Sequence, residues 1–204
     1  MIRNIILDGG GVTMNVKVLE LIKKYRPNPF EMKVMVQVMA GSEEWDNWNK
    51  GNYRDVYELV DVLKKKYPKY QKLMEKAFLD DWSFYMKPDE KMWQGIARLK
   101  KAGYRIYMLC DVPDELHQIM KTYPGYELID GGVFSHEEHQ RKPDQRMYDT
   151  LISRYGLKPE ECVMIDDEKA YLKPAEAMGM HVIHFRNADD ALKQLAQMLK
   201  EHNS

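Results

Sequence analysis

Four carboxylates and one lysine occupy positions from which a folded chain could bring them together. Asp8 ends the apolar run Ile5-Ile6-Leu7 and is followed at once by Gly9, Gly10 and Gly11. Asp111 follows Cys110 at the end of the apolar stretch 104–109, and Asp166-Asp167 follow the stretch 162–165. Lys142 lies in the polar run Arg141-Lys142-Pro143-Asp144. A short apolar run bounded by glycines reads as a buried parallel strand, and open α/β sheets place their chemistry at the carboxyl ends of such strands. Glycines lack a Cβ, so backbone N–H groups can turn inward around a small anion. An acid beside an anion cradle is coherent once a divalent cation is added. Asp8 can then bind the ion, face a phosphate and attack it.

The other groups extend that chemistry, though each has a plainer reading. Asp166 and Asp167 beside Asp8 repel one another unless they are protonated or share a cation. Oxygen ligands with little His or Cys nearby suit Mg²⁺ better than zinc. Either acid alone could instead cap the following helix, and Asp8 could cap a turn. The ammonium of Lys142 could reach a phosphate and offset the carboxylates, whereas Arg141 reads as a surface residue. Cys110 reads by itself as buried packing, since no His flanks it and the nearby acids raise a thiol's pKa. His117, His136, His139, His181 and His184 show no ligand spacing. Together the strand-end groups form a kit for phosphoryl transfer.

The elements that must position them alternate. A strand opens the chain, the glycine loop follows, and a helical pattern over 16–24 is broken at Arg26-Pro27-Asn28-Pro29. Residues 30–85 contain no strand pattern. Met32, Met35, Val36 and Met39 recur at helical spacing, and four helices joined at Gly41, Gly51 and Pro68 account for the stretch. Tyr57 and Phe78 read as core. Trp45 and Trp48 lie three residues apart in a polar segment. They suit either plain packing, the leading reading, or capping a pocket and stacking on a sugar ring. From residue 87 onward helix and strand alternate: helix 89–102, strand 104–109, helix 113–123, strand 131–135, helix to 155, strand 162–165, helix to 178, strand 181–185 and helix 191–199. Such alternation predicts an α/β fold, a Rossmann-like doubly wound parallel sheet interrupted by an α-helical insert. The expected division is a core of 1–15 and 87–204 with a helical cap of 16–86, hinged near 14–16 and 86–89.

Bulk properties narrow the class. The 204 residues suit one domain or a core with a modest insert, and 44% hydrophobic content supports a core. With 31 basic and 32 acidic residues the net charge is −1, so no basic field exists for nucleic acid. No apolar run approaches bilayer length and no signal-like segment opens the chain, so no membrane association is expected. The two cysteines, Cys110 and Cys162, form no disulfide framework. A cytoplasmic location is the resulting expectation.

Taken in order, IILDGGGVTMN, YRIYMLCD, RKPD and CVMIDD resemble the four motifs of the haloacid dehalogenase-like hydrolases, in the branch with a helical cap after the first motif. The resemblance covers the whole chain, and the Gly-Gly-Val form of the first motif is similar to sugar-phosphate phosphatases of the α-glucose-1-phosphate type. It implies that Asp8 forms an aspartyl-phosphate that water hydrolyses. It also implies that Mg²⁺ is held by Asp8, the backbone carbonyl of Gly10, Asp166 and Asp167. Gly9, Gly10, Lys142, Cys110 and Asp111 would then surround the phosphate of a small phosphorylated metabolite. Two departures stand out. Gly10 replaces a second Asp that serves as general acid and base in many members, a group worth on the order of 10²–10⁴ in rate. Cys110-Asp111 stands where the family carries Ser or Thr, often followed by Asn, and a thiol is a weak donor. Tyr171 replaces a small polar residue. A non-catalytic binding or regulatory protein is the alternative reading, and a dehalogenase the third.

Overall fold

The run Asn4–Leu7 (β1) is buried along its whole length, with the strand Arg105–Cys110 hydrogen-bonded on one side and the strand Cys162–Asp166 on the other. A strand so placed favours apolar side chains on both faces, which explains Ile5-Ile6-Leu7 after the buried Asn4. In the computed structural model, which describes residues 1–203, the chain continues into a short strand, Met14–Val16 (β2). Five helices follow: α1 (Val18–Lys24), α2 (Pro29–Met39), α3 (Glu43–Asn49), α4 (Val56–Lys66) and α5 (Gln71–Phe78). The chain returns through β3 (Met86–Pro88). Next come α6 (Glu90–Lys101), β4 (Arg105–Cys110), α7 (Asp114–Met120), β5 (Gly131–Phe134), α8 (Ser135–Glu138) and α9 (Gln145–Tyr155). The chain ends with β6 (Cys162–Asp166), α10 (Lys169–Ala177), β7 (His181–His184) and α11 (Ala188–Asn203).

The main sheet is parallel throughout, in the order β5-β4-β1-β6-β7. Its residues alternate between two cores. Ile5, Leu7, Ile106, Met108, Val163 and Ile165 pack with Ile96 of α6 and Leu195 of α11. Ile6, Tyr107, Leu109 and Met164 pack with Leu151 of α9 and Ala175 of α10. Both faces are therefore covered, which is the doubly wound α/β arrangement expected from the alternation.

Local chemistry sets the element ends. Asn28 caps α2 by accepting from the N–H groups of Phe30 and Glu31, while the Glu31 side chain accepts from Asn28 N–H. Ser42, Asp55, Asp89 and Asp144 cap α3, α4, α6 and α9 in the same sense. Strands β2 and β3 form a separate antiparallel ribbon in which Asn15 faces Lys87, so the chain leaves for the helices and comes back along one two-stranded strip. The expected core position Tyr57 is corrected: its side chain is 64% exposed, because α4 turns Leu59, Val60 and Leu63 inward instead. Phe78 is buried as expected.

Candidate active site

Register places the acids. Leu7 pairs with Met108 on one side and with Ile165 on the other, so Asp8 comes level with Asp166 one residue further on. The N–H of Asp8 extends the ladder by donating to the Ile165 carbonyl at 3.0 Å. Lys142 enters from the loop before α9 and ties the two strand ends together. Its Nζ lies 2.7 Å from Asp8 Oδ1 and 2.6 Å from Asp166 Oδ2. The side chains of Lys142 and Asp166 are 1% and 0% exposed.

Electrostatics follow from that burial. Desolvation pushes the Asp8 carboxyl up to about 7 against the pull of Lys142, with Asp166 adding to the rise. Burial works against the Lys142 ammonium too, but the Asp8 and Asp166 carboxylates outweigh it and hold the amine well above the usual lysine range. The Tyr171 ring lies 4.9 Å from Lys142 Nζ and adds a cation–π contact. Asp166 Oδ1 accepts the Glu168 N–H at 2.8 Å, so this acid fixes the turn into α10 as well as the lysine.

The glycine loop is built by close approach. The Gly9 carbonyl collects the N–H groups of Val12, Thr13 and Met14, and the Thr13 hydroxyl lies 3.1 Å from the Asp8 carbonyl. The Thr13 carbonyl in turn accepts from the Asp89 N–H and from the Trp93 indole. A Cβ on Gly9 would collide with the Cys110 sulfur, and one on Gly11, at φ +83°, with the Asp167 carboxylate. The loop thus lies against Cys110 on one flank and Asp167 on the other. Thr13 and Trp93 hold its far end. Sequence reasoning passed over that role of Thr13, although it stands in the first motif.

Carboxylate oxygens of Asp8, Asp166 and Asp167 lie within 4.8 Å of one another. An all-oxygen donor set of that span fits a hard divalent cation. Beside it, Gly10, Gly11, Asn15, Val16, Lys17, Lys87 and Asp167 line a cleft of about 740 Å³.

Cys110 and Asp111 are both engaged within the protein. Cys110 is fully buried against Gly9, and burial together with the Asp8 charge raises its thiol well above the usual range. Asp111 accepts the Lys142 N–H at 3.0 Å and meets Arg141 Nε at 3.3 Å. Arg141 is not the surface residue expected. It is half-buried, with Nη1 2.8 Å from Asp46 Oδ1 on α3. Its pairing lies in the inserted helices, far away in the chain, which no local pattern reveals. Trp48 is 2% exposed, enclosed by Trp45, Phe78 and Trp82, and its indole N–H donates to Glu115 Oε2. Both tryptophans thus take part in helix packing.

A second cluster was invisible in the sequence. His117 Nδ1 lies 2.9 Å from His136 Nε2, with Glu137 beside them. Burial depresses His117 to about 3 and holds His136 below the ordinary range.

The model of the haloacid dehalogenase-like hydrolase family matches residues 3–179. Among curated proteins, the chain is 27% identical over 115 residues to sesquiterpene phosphatase astK of Aspergillus oryzae, a match spanning 56% of this chain and 59% of that protein. A predicted HAD-like family hydrolase of Porphyromonas gingivalis superposes with a TM-score of 0.79 at 22% identity, covering 99% of this chain and 100% of that one. A HAD family enzyme of Bacteroides thetaiotaomicron, solved with magnesium and inorganic phosphate, gives 0.69 at 20% identity, covering 91% and 95%. These structures share the fold. With a family model spanning most of its length and the four motif segments converging on Asp8, this chain belongs to the haloacid dehalogenase-like hydrolases.

Proposed function

We propose that the protein is a Mg²⁺-dependent phosphatase acting on a small phosphorylated metabolite, with Asp8 as nucleophile. The observation that carries this reading is the buried Asp8–Lys142–Asp166 bridge at adjacent strand ends, with Asp167 beside it. Asp8, Asp166 and Asp167, with the Gly10 carbonyl, are the groups that would hold the ion. Bound there, Mg²⁺ supplies charge neutralisation for the phosphoryl group. An Asp8 oxygen attacks phosphorus, the bond to the substrate oxygen breaks, and the leaving oxygen takes a proton from water. Gly10 has no side chain to supply that proton. Water then attacks the aspartyl-phosphate, the Asp8 carboxylate departs and inorganic phosphate leaves. Lys142, steadied by Asp166, holds a non-reacting phosphate oxygen, and the Gly9–Gly10 backbone approaches the same group. Cys110 and Asp111 back this cradle: the first packs beneath Gly9, and the second fixes the Lys142 backbone.

The Gly-Gly-Val form of the first motif favours a sugar phosphate. Lys17 and Lys87 on the rim of the cleft favour a substrate with a second anionic or strongly polar group. Residues 16–86 act as a cap on a core of 1–15 and 87–204, with the β2–β3 ribbon as its hinge, and closure excludes water.

Phosphate release from sugar phosphates, nucleotides, a sesquiterpenyl phosphate and p-nitrophenyl phosphate tests the reading, with Mg²⁺ or EDTA, beside Asp8→Asn. Metal-dependent turnover lost in Asp8→Asn supports it. Folded wild-type protein with no turnover above that variant overturns it and leaves a non-catalytic binding protein.

A further inference from the structure

We propose that His117, His136 and Glu137 form a second cation site, distinct in residues and donor chemistry from the acidic cluster at Asp8, which takes a borderline divalent transition metal such as Zn²⁺. Parallel pairing of β4 and β5 brings it about. Cys110 pairs with Phe134, so the helices that follow the two strands begin side by side. Helix α7 contributes His117, and α8 contributes His136 and Glu137.

The geometry is that of two ligands facing one point. His117 Nδ1 and His136 Nε2 are 2.9 Å apart, and one atom from each of the three residues lies within 4.8 Å of the others. Two imidazole nitrogens on one tetrahedral zinc, each about 2.0–2.1 Å from it, stand roughly 3.3 Å apart. A small opening of this pair therefore admits the ion. Without an ion, the facing nitrogens can share only one proton, which leaves one lone pair directed at an N–H.

The outer partner of His117 is also that of a metal site. The remaining nitrogen of His117 lies 2.7 Å from the Tyr126 hydroxyl, which selects Nδ1 as the lone-pair atom when Nε2–H donates. The remaining nitrogen of His136 lies 3.9 Å from an Asp114 carboxylate oxygen. The His117 ring is stacked on Phe134 with centroids 3.8 Å apart, so its direction is fixed by packing. His117 is 1% exposed while Glu137 faces solvent, which gives the ion an entry side. Two imidazoles and one carboxylate favour zinc over magnesium, opposite to the all-oxygen set at Asp8.

Loading would clip α7 to α8. The residue before His136, Ser135, accepts the Val112 N–H at 2.8 Å and donates to the Asn49 carbonyl at 2.5 Å, so the clip fastens the strand-end loop after Asp111 and the end of α3 together.

The test is titration of metal-free protein with ZnCl₂ in excess Mg²⁺, followed by competition with a chromophoric chelator and by thermal melting, with Co²⁺ absorption as a spectroscopic readout. The expected result is one zinc per chain, a raised Tm, and tetrahedral Co²⁺ bands. His136→Gln is expected to lose the stoichiometric site and Glu137→Gln to weaken it at least tenfold. Asp8→Asn is expected to retain it. Glu137 is exposed, so Glu137→Gln remains readable if His136→Gln fails to fold. No zinc uptake by wild type, uptake undiminished in Glu137→Gln and in folded His136→Gln, or uptake lost in Asp8→Asn overturns the proposal.

Discussion

The guanidinium of Arg141 faces Asp46 on the inserted helix α3, with Nη1 2.8 Å from Oδ1. Through Nε it also meets Asp111 at 3.3 Å, so one side chain spans the insert and the end of β4. This arrangement answers the charge that Asp111 brings behind the expected phosphate position. Burial pushes Asp111 up, and Lys142 and Arg141 pull it back toward the ionised form. Hydrogen bonds to charged groups are worth about 1.5–3 kcal/mol. Arg141→Ala should therefore lower kcat/KM by roughly one to two orders of magnitude. Asp46→Asn should raise KM more than it lowers kcat, since Asp46 touches no reacting atom in the proposed mechanism. Steady-state kinetics of both single variants and the double variant should reveal coupling. Strictly additive effects would separate the two residues.

Lys142 holds two buried carboxylates, and removing it strands both. Breaking one partner from a buried pair costs about 3–5 kcal/mol. Lys142→Ala should show a loss of that size in urea unfolding, and Mg²⁺ should restore part of it by neutralising the same acids. A variant as stable as wild type in EDTA would mean that water or proton uptake replaces the lysine.

Asp8, Asp111 and the Asp166-Asp167 pair were legible because each closes or follows an apolar run, and parallel register converts equal strand ends into proximity; Lys142 lies in a polar run and was legible only beside those acids. Leu7 opposite Ile165 is enough to put Asp8 beside Asp166. The roles of Arg141 and of the His117–His136 pair were not legible. Arg141 meets Asp46 across 95 residues, and the two histidines meet across 19 residues on different helices. Local periodicity carries no trace of such contacts. The β2–β3 ribbon escaped for a similar reason, since three residues on each side are too few to show alternation. Tyr57 misled because an aromatic at helical spacing marks the inner face only when the phase of the helix is known. Leu59, Val60 and Leu63 set that phase.

Both cysteines should be silent in the native protein. Cys110 and Cys162 are fully buried, and burial lifts the first thiol well above its usual range and the second to about 11. Thiolate is the reactive form. A chromogenic disulfide reagent at pH 7.5 should therefore titrate no thiol in the folded protein and two after unfolding in guanidinium. Rapid modification of one thiol without unfolding would show that the Gly9–Cys110 contact opens readily.

Asp144 links the lysine loop to its helix and should give the site a measurable dependence on acid. It caps α9, accepting the Arg146 N–H at 3.0 Å, and it pairs with the Arg146 guanidinium at 2.7 Å. Those hydrogen bonds, with the side-chain one foremost, hold its carboxyl down to about 2. A folded value below the unfolded value of about 3.9 means that the unfolded chain binds the proton first. The contribution of the charge is thus present in full from about pH 5 upward and is lost as pH falls through about 4 toward 2. Asp144→Ala should cost about 1 kcal/mol at pH 7, the usual worth of a helix cap. The gap between wild type and variant, read from denaturant midpoints at pH 7, 5, 4 and 3, should hold steady down to pH 5 and then narrow. A gap unchanged at pH 3 would assign the effect to the shape of the cap rather than to its charge.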